Sequence, residues 1–307
     1  MKKKTVKNLR KLWEAFPFAA PGLILVLVFI IYPMFFTLRI ALSEYKIVQG
    51  DINFVGLANF IQVFSGGSRF WFAIRNNFLY AAVTVPLIIL GGMFFAYLIN
   101  NLKRGQGIFR VGFYLPVITS WVIVSLVFQY MFNNSNRGLI NYVLVDVLHL
   151  MDDYVPWLLH EWSGNAAIWL MGIWKNMGWA MLIFLAGLQS IPKEQYEAAE
   201  LDGAGLLKRF SNITVPALKP VTYYVMVNMI IGSFNVFIQV MMLTSGGPNG
   251  RTSTLQYLLY DRAFNQFNFG EACAIGVVSA VTIVALTAVL NKRLNLDNDT
   301  GSEEANV

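Results

Sequence analysis

Six long apolar runs dominate this sequence, at residues 17–42, 77–99, 111–132, 166–188, 221–244 and 272–290. A hydrocarbon core ~30 Å thick is crossed by about 20 helical residues. Backbone at that depth must satisfy its own hydrogen bonds, which a helix does within one segment. The chain is therefore expected to be an all-α polytopic membrane protein with six transmembrane helices. Composition agrees: the chain is 56% hydrophobic and only 13% charged, against ~25% charged in ordinary globular domains. Pro33, Pro86 and Pro116 fall inside or at the entry of these runs. Helix bundles tolerate that where neighbours satisfy the freed carbonyls.

The net charge of +6 is explained better by membrane topology than by nucleic-acid binding, because the basic residues are unevenly placed. With the N-terminus inside, fifteen of the 23 Lys and Arg residues fall on that side, including Lys2, Lys3, Lys4, Lys103, Arg104, Lys193, Lys208 and Lys292. Six fall outside, and Arg39 and Lys175 lie within spans. Both termini and the loop at 191–216 are thus expected in the cytoplasm. The expected organisation is a basic segment at 1–16, a transmembrane domain at 17–290 and a polar tail at 291–307. The first apolar run far exceeds a 7–15-residue signal core, so it reads as a retained span.

Several chemistries lack their residues. Cys273 is the single cysteine, and His149 and His160 are the only histidines, both in one loop. No disulfide framework or metal site is expected, and the spans offer no Ser/His or His/Glu catalytic cluster. No acid need lie within a span, which argues against a proton-coupled carrier. No phosphate-binding Gly-x-x-x-x-Gly-Lys-Ser/Thr loop occurs. No catalytic residues are expected, and ATP-driven work would need another polypeptide.

Between the fourth and fifth runs lies a polar island, Ile191-Pro192-Lys193-Glu194-Gln195-Tyr196-Glu197-Ala198-Ala199-Glu200-Leu201-Asp202-Gly203-Ala204-Gly205. Pro192 suits a first helical turn, residues 193–201 are mostly good helix formers, and Asp202-Gly203 is a stop. A second helical run is expected over 206–213, ending before Pro216. A helix of about ten residues is not stable alone in water. It must dock, and Ala198 and Ala199 leave a low surface for a partner.

The island resembles the EAA loop of binding-protein-dependent ABC importer permeases, a pattern E-A-A, three residues, G, nine residues, I-x-L-P. Glu197-Ala198-Ala199, Gly203 and Ile213-Thr214-Val215-Pro216 match it, with Val215 in place of the usual Leu. The flanking Ala186-Gly187-Leu188-Gln189-Ser190-Ile191-Pro192 resembles the maltose-type sugar branch. So do three outer segments: Phe54-Val55-Gly56-Leu57-Ala58-Asn59-Phe60, Gly138-Leu139-Ile140-Asn141, and Leu243-Thr244-Ser245-Gly246-Gly247-Pro248.

The resemblance implies a five-span permease core, here spans two to six, preceded by one extra span. It implies a bacterial or archaeal plasma membrane and a sister permease forming a heterodimer. It further implies two ATP-binding subunits carrying ATP and Mg, an external solute-binding protein, and a sugar as solute. Glu197, Ala198, Ala199, Asp202, Gly203 and Pro216 would then couple ATPase closure to the spans. A same-superfamily permease for glycerol phosphate, polyamine or anion remains open, as does a channel or receptor-like membrane protein.

Polar residues within spans mark function or helix contacts. Tyr224, Asn228, Gly232, Asn235 and Gln239 share one face of a continuous fifth helix, within about 80° at ~100° per residue. Trp121, Ser125 and Gln129 form a stripe on the third, and the fourth offers Trp174, Lys175, Asn176 and Trp179. Amides pair with hydroxyls and aromatic faces pack on sugar C–H faces, so this set suits a neutral polyhydroxylated solute. Bonds between helices are the alternative. Lys175 has no acid in any span to pair with. It can snorkel, meet a partner's carboxylate, or attract an anion.

Overall fold

The computed structural model describes residues 16–46 and 50–294. The expected N-terminal segment, apart from Phe16, and the tail beyond Leu294 lie outside the described residues. All six apolar runs are helical. Among the described residues four helices are long and apolar enough to cross a bilayer unbroken: α1 (Phe16–Ala41), α3 (Ser68–Asn100), α6 (Glu161–Leu188) and the last, α12, whose qualifying stretch is Phe269–Lys292. Within α1, a π turn at Leu27–Ile31 falls just ahead of Pro33. A proline lacks the N–H and crowds the carbonyl one turn back, and a wider turn there relieves both.

The third and fifth runs depart from the expected continuous helices. The third divides into α4 (Gln106–Ile118) and α5 (Trp121–Met131), whose axes differ by 92°. The fifth divides into α9 (Lys219–Phe234) and α10 (Ile238–Leu243), with Asn235 to Phe237 between them. An antiparallel hairpin, β1 (Ser43–Lys46) and β2 (Asp51–Phe54), pairs Ser43 with Phe54 and Lys46 with Asp51. A short α2 (Ala58–Ser65) follows it. The inter-run loop carries α7 (Lys193–Leu201) and α8 (Leu206–Arg209), and α11 (Leu255–Tyr260) precedes α12 (Phe269–Leu294).

The core is centred on α3 against α6. Ile88, Met93, Ala96 and Tyr97 pack with Ala180, Met181, Phe184 and Leu188, and Leu218 and Val225 close over them. Small residues set the approach. A Cβ on Gly92 would lie 2.9 Å from that of Ala180, and one on Gly178 only 1.8 Å from the Phe113 carbonyl oxygen. In lipid, where apolar side chains gain nothing by leaving the solvent, such close backbone contact supplies the packing.

Candidate functional site

At the first break, Thr119 and Ser120 are extended (ψ 140° and 139°), and the Ser120 hydroxyl accepts from the Val122 N–H to start α5. The last carbonyls of α4 have no partner within the helix. Lys175 of α6 supplies one. Its ammonium donates to the carbonyls of Pro116 (2.8 Å), Val117 (3.1 Å) and Thr119 (2.6 Å). It also lies 4.8 Å from the Trp121 ring centroid. An ammonium has three N–H donors, so all are taken, and a cation at a helix C-terminus is favoured by the dipole. Lys175 is buried. It does not snorkel, and among the described residues of this chain no carboxylate pairs with it.

The second break is held from α3. The Asn77 amide donates to the Ser233 carbonyl (2.6 Å) and its oxygen accepts from the Leu255 N–H (2.9 Å). Asn76 donates to the carbonyls of Arg251 (2.7 Å) and Ser253 (2.8 Å), and the Thr254 hydroxyl to that of Val236 (2.5 Å). Glu161, at the start of α6, pairs with Arg75 and with Arg251 (2.7 Å). The irregular backbone is thus satisfied inside protein, as membrane depth demands.

Between the breaks lies a cavity of about 480 Å³ whose polar lining comes from Tyr80, Thr84, Asn176, Ser233, Asn235, Gln239 and Gln256, with Trp121 and Phe237 beside them. A second space of about 540 Å³ adjoins it through Trp121, Asn176, Met229 and Ile238, and is bordered by Ser120, Lys175 and Trp179. Of the residues expected on a solute path, Trp121, Asn235, Gln239 and Lys175 line these spaces. Tyr224, Asn228 and Gln129 do not. Tyr224 is half exposed beside the Trp179 ring (6.3 Å), Asn228 donates to the Tyr224 carbonyl one turn back (2.8 Å), and Gln129 is exposed two turns along α5. The break after Phe234 divides the face that a continuous helix would have kept together. Thr84 and Gln256 carried no pattern that marked them in sequence.

The 191–216 loop folds close to expectation. Pro192 is extended (ψ 133°) and caps α7, one position ahead of the first turn. Gly203 takes φ +73°, with its N–H on the Glu200 carbonyl (3.0 Å) and the Ala204 N–H on that of Ala199 (2.9 Å). Glu197, Ala198, Asp202, Gly203 and Pro216 are exposed, while Ala199 is half-buried. The second helical run does not stop before Pro216. After α8 a π turn at Phe210–Thr214 leads into Val215–Ala217. Pro216 sits early in that turn, where a missing N–H is tolerated. Within the loop the Tyr196 and Thr214 hydroxyls are 2.9 Å apart, and the Tyr97 hydroxyl of α3 donates to the Leu206 carbonyl (3.0 Å), tying the loop to the spans. Arg209 pairs with Glu200 at 2.9 Å. Among the described residues no group of three or more His, Cys, Asp or Glu side chains could hold a metal ion.

Comparison with known proteins places these features in a lineage. The trehalose/maltose transport system permease protein MalF of Thermococcus litoralis is 35% identical over 271 residues, covering 88% of each chain. The arabinooligosaccharides transport system permease protein AraP of Bacillus subtilis is 33% identical over 276 residues, covering 89% of this chain and 86% of AraP. The crystal structure of a bacterial ABC transporter involved in the import of the acidic polysaccharide alginate shares the fold. Its matching chain has TM-score 0.80 and 21% identity, with 95% of this chain and 98% of that one covered. Residues 78–296, from α3 through α12, match the family described as binding-protein-dependent transport system inner membrane component, and the chain belongs to that family.

Proposed function

We propose that this chain is the permease subunit of an ATP-driven importer for a neutral sugar or oligosaccharide. The observation that carries this reading is the lining of the two adjoining cavities. They present amides, hydroxyls and indole faces, and the cation bordering them has its three donors engaged by backbone. Such a wall pairs with hydroxyls and sugar C–H faces and offers an anion no free charge. The names of MalF and AraP support the same solute class.

In this reading a sister permease completes the pathway, an external binding protein delivers solute, and two separate subunits bind ATP and Mg. Both termini and the 191–216 loop face the cytoplasm. Closure of the ATPase pair moves α7, held by exposed Glu197, Ala198, Asp202 and Gly203. The Tyr196–Thr214 bond carries that motion across the loop to the turn that leads into α9, and the Tyr97–Leu206 bond carries it to α3. A change in ATPase state then biases the inward/outward equilibrium through its differential contacts with the loop. Residues Trp121, Asn235 and Gln239 form the solute-contacting wall, with Lys175 holding it in place. The test is uptake of radiolabelled arabino-oligosaccharide, maltose, trehalose and lactose by cells with and without the gene. Loss of one sugar's uptake, restored by the wild-type gene and not by Gln239→Leu, is expected. Loss of glycerol phosphate or polyamine uptake instead would overturn the sugar reading.

A further inference from the structure

Helix α2 has two apolar faces, and the spans account for only one. Asn59 and Val63 are buried. The Asn59 amide donates to the carbonyls of Ala41 and Ser43, both at 2.9 Å. Val63 packs with Phe70, Ala73 and Ile275. At ~100° per residue these contacts fix the rotation of α2 and turn Leu57 and Ile61 to the opposite side, with the half-exposed Phe64 at the margin, its ring edge-on to Phe70 (5.2 Å). Leu57 is 63% exposed and Ile61 64%. Phe54 of β2 and Trp71 of α3 are exposed beside them, and the Trp71 indole donates to the Phe64 carbonyl (3.3 Å). No charged residue occurs from Ile52 through Ser68.

The level of this face along the spans identifies its occupant. Helix α3 has 33 residues, about 50 Å at 1.5 Å each, well beyond a ~30 Å hydrocarbon core. The apolar run begins at 77, so the first turns of α3, against which α2 packs, stand at headgroup height. Along α1, the span that leads into this connection, Phe29, Phe35 and Leu38 are likewise exposed. Trp71 at the start of α3, beside the exposed apolar side of an uncharged helix that joins two spans, matches a membrane-interfacial element. We infer that Phe54, Leu57, Ile61 and Phe64 seat α2 in the headgroup boundary of the leaflet at that end, anchoring the connection between the first two spans to lipid. This rests on the spans crossing a bilayer and not on which solute is carried.

The test places a nitroxide label at Ile61→Cys in a Cys273→Ser background. The full chain, with its co-purifying subunits, is reconstituted in phosphatidylethanolamine/phosphatidylglycerol vesicles. Power saturation then compares collisions with oxygen, which partitions into lipid, and with a water-soluble nickel chelate. Several-fold greater relaxation by oxygen than by the chelate is expected, with the reverse at Gln62→Cys on a side facing away. Exclusion of both reagents from position 61 would mean that a protein subunit covers the face, and dominance of the chelate would mean water does. Either overturns the inference. If Ile61→Cys does not accumulate, Leu57→Cys carries the same three outcomes.

Discussion

The Lys175 ammonium lies 4.8 Å from the Trp121 ring centroid while donating to three carbonyls at the end of α4. One side chain from the fourth apolar run thus sets both the bend of the third and the placement of an aromatic wall. Lys175→Met keeps the length and apolar stem but removes every donor. Each buried carbonyl left unpaired costs roughly 1–3 kcal/mol. The purified variant should melt several degrees lower in detergent, and Lys175→Arg should recover part of the loss. An unchanged melting curve for Lys175→Met would show that the carbonyls find other partners.

Gly178 governs how near α4 comes to that lysine. A Cβ there would sit 1.8 Å from the Phe113 carbonyl oxygen, a backbone atom that cannot rotate away. Gly178→Ala should destabilise by about 1–3 kcal/mol or more through overpacking and lower the amount of chain in the membrane. Gly112→Ala, with nothing within 4 Å, is the matched control. Equal membrane levels for the two would contradict the close approach.

Asn77 joins α3 to the last turn of α9, just before the second break, through Ser233, and to the start of α11 through Leu255. Asn77→Ala should cost about 2–4 kcal/mol, since it strands a buried carbonyl and a buried N–H. Asn77→Asp retains the acceptor for Leu255 but faces the Ser233 carbonyl with an oxygen, so it should be no better than half restored. Thermal unfolding of the three proteins under one detergent condition decides the matter.

In the loop, Gly203→Asp and Ala198→Trp should abolish uptake while leaving membrane insertion intact. Ala198 is exposed, so the indole meets no part of this chain's core. Gly203 has open space around it, and its φ of +73° costs a side-chain-bearing residue only about 1–2 kcal/mol. Immunoblots of membranes alongside uptake assays separate the two effects. Normal uptake in both variants would remove the coupling role.

Much of this was legible in order along the chain. The bounds of α7 coincide with the run of helix formers at 193–201, because Pro192 and Asp202-Gly203 are local signals that act within a few residues. The two breaks were not legible. Residues 221–244 read as one apolar helix, and nothing local in Asn235-Val236-Phe237 forbids helix. Their unwound backbone is stable only because Asn77 and Thr254, 156 residues before and 18 residues after the acceptors they bond, supply partners. The face proposed from helical periodicity was accordingly divided. Asn235 and Gln239 stayed on the cavity, while Tyr224 and Asn228 fell outside it.

The sequence by itself determined that this is a helical membrane protein with a polar loop of importer type, because hydrophobicity, charge placement and turn chemistry are properties of neighbouring residues. Only the tertiary structure decided where helices unwind, which polar groups face a shared cavity, and what Lys175 does. Each of these depends on a buried donor finding an acceptor far away in the chain, a pairing that exists only once the spans have packed.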